Sequence, residues 1–410
     1  MFNKVCIFLL TLVGFSSVII AQGNNLTTTP TLKEWSVLLY GVPVDAARFA
    51  IKNIDDAMSG ISDTATNAVL CCDLWTKYAA LWQISSQTIT QLTPISEPET
   101  HSARITRLMN FLMTQYPAQK YALILQGGGA AFVDHIWDAH SNSWSGHSGM
   151  RRGILYNDMD GTYLSLSDLV STLTTVSNRL GRKLDLFVAD AGYMTGLELV
   201  IALSDSVQVY VAPESKQFLA GFKYKPLFEA LAIPGATATH VGAAIVQSSS
   251  DYYNGRSAEM AIPATQCYAA IDCGKVSNVW RAFGDFMTQL NALLAYRPAL
   301  AMNVYQLRND LGLIGLKCCY VDCIQWFEAA QVLLAAQSDD ADVLALSAEI
   351  SPLTAQFKNA CLSLAVGAGA GVMNGMMLSY PQSNPGIFMV NQAGPWNQFV
   401  NASFRGAIYA

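Results

Sequence analysis

The chain has 410 residues, enough for one large core or two smaller ones. Hydrophobic residues make up 52% of it and charged residues 13%, which excludes a disordered chain. The net charge of −6, with no Lys/Arg cluster beyond Arg151-Arg152, excludes nucleic acid as a partner.

Residues 1–21 read as a secretion signal. Lys4 supplies the positive end, Val5 to Ile20 is almost unbroken apolar sequence, and Ala21 is a small residue at the cleavage position. The mature chain is therefore expected to be secreted, extracellular or periplasmic, with no membrane contact beyond that signal. A polar, threonine-rich linker fills 22–34. Apolar runs at Trp35 to Tyr40 and Ala68 to Cys72 suit buried strands, and the alanine-rich stretch Asp45 to Met58 between them suits a helix. Ser102 to Tyr116 is amphipathic, with Ile105, Leu108, Met109 and Leu112 on one face. The strand Tyr121 to Leu125 then runs into a glycine-rich turn, Gln126-Gly-Gly-Gly129. A second helical stripe, Leu166 to Leu180, is closed by Gly181. Strands at Leu184 to Ala189 and Gln208 to Ala212 follow, separated by a helix starting near Thr195. Such alternation predicts a mostly parallel sheet with helices on both faces, and sites at the carboxyl ends of its strands. The α/β domain is expected over 35–262, and a helix-rich region over 263–410 packs on the same unit. In that region Val276, Val279, Trp280, Phe283, Phe286, Met287, Leu290 and Leu294 form one long apolar face. Ala360 to Tyr380, with three glycines between Gly367 and Gly371 and then Asn374, reads as strand-turn-strand rather than a membrane span.

Eight of the nine cysteines lie outside the signal: Cys71, Cys72, Cys267, Cys273, Cys318, Cys319, Cys323 and Cys361. An even number in a secreted chain predicts disulfides. No CxxC pair occurs and no histidine lies near Cys318, Cys319 or Cys323, so no metal site is expected. The glycine turn lacks both the dinucleotide fingerprint and the Lys-Ser/Thr of a P-loop, and no cofactor is expected.

Two loops carry most of the functional information. One is Tyr121-Ala-Leu-Ile-Leu-Gln126-Gly-Gly-Gly-Ala-Ala; the other is Leu184-Asp-Leu-Phe-Val-Ala-Asp190-Ala-Gly192-Tyr-Met-Thr-Gly-Leu-Glu198. With Trp35-Ser-Val-Leu-Leu-Tyr40, Val211-Ala-Pro-Glu214 and Gly221-Phe-Lys-Tyr224, they resemble the clostripain family of cysteine peptidases, relatives of the caspases and gingipains. The resemblance implies a caspase-like α/β/α sandwich, with a histidine after the first strand and a nucleophilic cysteine after the second. Asp190, Ala191, Met194 and Glu198 fit the family pattern, but the cysteine slot holds Gly192. The histidine slot holds Gln126 when aligned on the glycines, or Gly128 when aligned on the strand. Thiolate and imidazole are both absent, and neither a glycine nor a glutamine substitutes for them.

Replacements from elsewhere are few. His135, His140 and His147 follow the glycine turn, Cys273 sits in an Ile271-Asp-Cys-Gly274 run that imitates a nucleophile loop, and Thr195 offers a hydroxyl without a neighbouring base. In active relatives acidic groups bind basic side chains. Asp190 and Glu214 are the corresponding candidates for binding a peptide, with Glu214 read either as a remnant of the pocket wall or as a solvated surface carboxylate. The expectation is a secreted pseudopeptidase that binds a protein or peptide ligand, a basic one if the acidic cleft survives. Two alternatives stand beside it: an active cysteine endopeptidase cleaving after Arg or Lys, and a structural surface or matrix protein that retains only the fold.

Overall fold

The computed structural model describes residues 32–408 apart from 43–46, 76–77, 93–98, 130–152, 157–160, 219, 261–264, 312–313, 315–319, 338, 372 and 381–393. The signal at 1–21 and His135, His140, His147, Cys318 and Cys319 lie outside the described residues.

The first half alternates strand and helix as its periodicity requires. Strand β1 (Lys33–Gly41) leads through helix α1 (Ala47–Met58) to β2 (Thr66–Trp75). A meander of β3 (Tyr78–Ile84) and β4 (Ile89–Gln91) precedes α2 (His101–Gln115), which leads to β5 (Ala118–Gln126). A small ribbon of β6 (Gly128–Gly129) and β7 (Ile154–Tyr156) comes next, followed by α3 (Leu166–Leu180) and β8 (Leu184–Asp190). Helix α4 (Leu197–Leu203) and β9 (Val207–Pro213) complete the central strands, and α5 (Tyr224–Leu231) and α6 (Ala238–Met260) close this half. Helix α3 shows why such segments start and stop where they do. The Ser165 hydroxyl accepts from the Asp168 amide at 3.0 Å, and Gly181 ends the helix at φ 68°, a left-handed conformation suited to glycine.

The second half supplies β10 (Cys267–Asp272), α7 (Cys273–Ala295), α8 (Pro298–Asp310), β11 (Tyr320–Asp322), α9 (Cys323–Ala335), α10 (Ala341–Ala360), β12 (Cys361–Val366), β13 (Met377–Ser379) and α11 (Pro395–Ile408). The main sheet has nine strands in the order β12-β10-β9-β8-β5-β1-β2-β3-β4. Its centre, from β9 to β2, is parallel, while β3 and β4 on one flank and β10 and β12 on the other are antiparallel. The helix-rich half thus also extends the sheet. The stretch read as strand-turn-strand does contain two strands, but β12 joins the main sheet and β13 pairs with β11.

Alternation along the central strands divides the core in two. Leu123, Leu125, Phe187, Ala189, Tyr210 and Ala212 face one side, where α2, α3, α4 and α7 pack. Ala122, Ile124, Leu186, Val188, Val209 and Val211 face the other, under α5 and α6. This is the expected α/β/α sandwich. No described helix is long and apolar enough to cross a membrane.

The disulfide expectation finds no support among the described cysteines. None of Cys71, Cys72, Cys267, Cys273, Cys323 and Cys361 forms a disulfide with another described cysteine, and most are buried as small apolar side chains. Denatured without reductant, the protein is expected to expose at least these six thiols to a quantitative thiol reagent; fewer than six would show that they pair.

Candidate functional site

Strand register brings the two informative loops together. β5 and β8 are adjacent and parallel with Gln126 opposite Asp190, and Gly41 at the end of β1 lies opposite Gln126. Beyond the strands, the Gly127 amide donates to the Asp190 carbonyl at 3.2 Å. A Cβ on Gly129 would stand 2.6 Å from the Ala191 Cβ and 2.9 Å from the Gly192 carbonyl oxygen, so the glycine turn lies directly against the nucleophile slot.

Asp190 is the centre of this arrangement. Its carboxylate is 1% exposed and accepts four hydrogen bonds. Gln126 Nε2 donates at 3.2 Å and the Tyr224 hydroxyl at 2.5 Å to Oδ2, while Gln217 Nε2 and the Phe222 amide, at 3.1 Å, donate to Oδ1. Burial pushes its pKa up, and the four donors pull against that shift. The other end of Gln217 is also fixed, because its Oε1 accepts from the Tyr268 hydroxyl and the Phe218 amide. Gly221 completes the cradle. It adopts φ 65°, and a Cβ there would fall 2.2 Å from Asp190 Oδ2. The Gly221-to-Tyr224 stretch, whose role was not evident in the sequence, thus supplies the close approach and two of the four donors. Gln217 and Tyr268 carried no recognisable signal.

The nucleophile slot is closed. Gly192 is buried, and a Cβ would stand 2.9 Å from the Gln217 nitrogen and 3.3 Å from the Lys216 Cα. The flanking amides are bonded to the same segment, Tyr193 to the Ser215 carbonyl and Met194 to the Pro213 carbonyl, both at 2.9 Å. The obstacle to a side chain here is neighbouring backbone, since φ at Gly192 is not positive. At the histidine slot, Gln126 is committed to Asp190, whereas Gly128 has ordinary room, its nearest neighbour being the Tyr156 Cβ at 3.6 Å.

Glu214 is neither a surface carboxylate nor part of the Asp190 cradle. It is 0% exposed, accepts from the Gly375 amide at 2.6 Å and the Cys267 thiol at 3.3 Å, and lies against Asp322. Burial pushes the pKa of both carboxyls up, and the Asp322 charge raises Glu214 further. Asp322 in turn caps α9 through the Gln325 amide and accepts twice from Asn374. The other candidates have equally inert surroundings. Burial pushes the Cys273 thiol up to about 12, and the buried Thr195 hydroxyl has no partner. No described group of His, Cys, Asp and Glu side chains could hold a metal ion.

Glu198, in the first turn of α4, is 6% exposed, and burial pushes its pKa up to about 8. The nearby backbone of Glu198 itself and of Ser379 pulls against that shift, and Oε2 has no partner among the described residues.

The sequence profile of the clostripain family matches residues 45–338. Among solved structures, a secreted C11 cysteine protease from Bacteroides thetaiotaomicron superposes with a TM-score of 0.64 at 14% identity, covering 90% of this chain and 100% of that one. An inactive zymogen C11 protease from Parabacteroides distasonis superposes with a TM-score of 0.60 at 13% identity, covering 87% and 94%. At such identities the superpositions establish a common fold. No curated protein matches the sequence.

Two outcomes follow from this geometry. Gly221→Ala is expected to destabilise the protein by about 3 kcal/mol or more, through strain at positive φ plus the contact with Asp190. Tyr224→Phe, which removes one of the four donors, should cost about 1–3 kcal/mol. Denaturant unfolding measures both, and a neutral Gly221→Ala would contradict the cradle. Glu198 links stability to pH. A carboxyl raised above its unfolded value contributes stability that is fully present below about pH 4.5 and is lost as pH rises through about 8. Glu198→Gln should therefore gain stability relative to the parent as pH increases from 5 to 9; thermal unfolding across that range would show a constant difference if Glu198 titrated normally.

Proposed function

The chain belongs to the clostripain family, and from that membership we propose that it is a secreted, catalytically silent member that acts as a non-catalytic protein-interaction module. The observation that carries this reading is the occupation of the catalytic strand ends by the protein itself. Asp190 is saturated by Gln126, Gln217, Phe222 and Tyr224, and the backbone at 216–217 fills the space a nucleophile's side chain would need. Peptide hydrolysis by this family requires a nucleophile with a base in hydrogen-bond reach, and neither slot supplies one. The leader-like segment 1–21 supports secretion, as does the description of a solved relative as secreted.

Binding of a basic peptide directly on Asp190 and Glu214 gains no support from this geometry. Both carboxylates are buried, and a cation reaching Asp190 would have to displace four hydrogen bonds. Retention of a complete fold with a closed catalytic centre instead favours recognition at another surface.

Purified protein is expected to show no thiol-dependent cleavage of Arg- or Lys-containing peptides under reducing conditions, with or without calcium. Gly192→Cys combined with Gln126→His or Gly128→His should restore no turnover, because the new Cβ at 192 meets backbone rather than a movable side chain. Turnover by the parent protein that an alkylating reagent abolishes would overturn the proposal.

A further inference from the structure

On the side of α4 that faces the second half of the chain, Glu198 borders a cleft walled by Trp280, Phe283 and Gly284 of α7 and by Trp396 of α11. The cleft is narrow, with a volume of about 40 Å³, room for a few water-sized groups or a slender side chain rather than a drug-sized ligand. Its aromatic walls are mutually braced, with Trp280–Phe283 centroids 5.6 Å apart and Phe283–Trp396 centroids 6.0 Å apart. β13 braces the wall, since the Ser379 carbonyl accepts from Trp396 Nε1 at 2.8 Å, and the Ser379 backbone lies close enough to Glu198 to lower its pKa against the effect of burial. The carboxyl oxygen Oε2 is fully buried and has no partner among the described residues. An unsatisfied buried acid is unfavourable for folding unless a ligand completes it.

We propose that this cleft binds the ε-ammonium of a lysine side chain presented by a partner polypeptide. The carboxylate would meet the ammonium in a charge-assisted hydrogen bond, and the indole and phenyl faces would cover the aliphatic stem and add cation–π attraction. A lysine side chain has the necessary shape, a narrow apolar stem ending in a compact three-donor charge. The chain's net charge of −6 favours a basic partner. The site is distinct from the closed strand ends, where Asp190 and Gly192 lie. The proposal rests on the interaction role above, but its failure would leave catalytic silence intact, because the peptidase assay reads that property separately.

Ionisation adds a signature. Glu198 titrates at about 8, whereas a lysine ammonium keeps its proton to about pH 10. Affinity should therefore rise from pH 6.5 to 9 as the carboxyl ionises. The buried Cys323 thiol packs within range of the Glu198 charge, and burial raises its pKa far above this window. Asp322 and Glu214 act on that same thiol, and burial raises both of their pKa values. Glu198→Gln is the control for their contribution.

The full chain is titrated with N-acetyl-lysine methylamide, followed by tryptophan fluorescence, with N-acetyl-norleucine methylamide and butylammonium chloride as comparison ligands. The expected result is saturable binding of the lysine compound, weaker binding of butylammonium, and at least about tenfold weaker binding of the norleucine compound, which lacks the charge. Glu198→Gln should weaken lysine binding by about tenfold or more and remove its pH dependence. Gly284→Leu should block the cleft without touching the acid, because a Cβ there meets no described atom within 4 Å. Circular dichroism confirms that each variant is folded, and Glu198→Gln alone decides the matter if Gly284→Leu is not. No saturable binding, equal binding by norleucine, or unchanged binding by folded Glu198→Gln would overturn the proposal. Equal affinity for butylammonium would overturn the polypeptide source.

Discussion

A buried carboxylate held by four neutral donors organises the strand ends of this protein. Asp190 sits at the end of β8 and is satisfied by neutral donors from three parts of the chain: the end of β5, the loop at 217 and the segment 222–224. Burying a carboxyl is costly, and four hydrogen bonds are what make it tolerable. Each donor then imposes a constraint of its own. Gln126 depends on the register of β5 against β8, Gln217 is held by Tyr268 of β10, and the Phe222 amide reaches Asp190 only because Gly221 adopts a positive φ. The cluster thereby ties the parallel centre of the sheet to its antiparallel extension.

On the proposed reading, the arrangement adds closed space to the absence of the family's two side chains. The segment at 213–217 bonds to the amides of Tyr193 and Met194 and lies against Gly192, so the space as well as the thiol is gone. Backbone packed at this density does not yield to a single added side chain. Glu214, three residues before Gln217, turns the other way and joins Asp322, Asn374 and Gly375, anchoring the same segment to the second half of the chain. Among the described residues Asp73, Glu198 and Glu214 each keep one buried carboxyl oxygen without a partner, and Glu198 is the one of the three that borders a cleft.

The sequence made the sandwich legible because period-2 and period-3.6 patterns are strong where strands are buried on both faces and helices on one. Leu166 to Leu180 with Gly181 is the clearest case, and its limits coincide with the helix. The meander β3–β4 and the strand β10 were not legible, since short apolar runs such as Cys267 to Asp272 read equally as helix or strand, and the pairing of β12 with β10 was not legible either. That Gly192, and Gln126 or Gly128, carry neither thiol nor imidazole is read from residue identity alone. Their closure was not, because Gln217 and Tyr268 come from distant positions and carry no motif. Disulfides were inferred from parity and compartment, yet the described cysteines pack as separate apolar side chains, a choice made by tertiary position rather than by number.

The central claim is that the catalytic strand ends are closed and chemically empty. The most direct measurement is intact-mass analysis of the natively folded, reduced protein after exposure to an electrophilic peptide ketone carrying lysine or arginine next to the reactive group. The account predicts no peptide-directed, saturable adduct, since no thiol stands at Gly192 and the buried cysteines lie elsewhere. A stoichiometric adduct that a competing basic peptide prevents would contradict it, by revealing a reactive thiol in an open, basic-specific cleft.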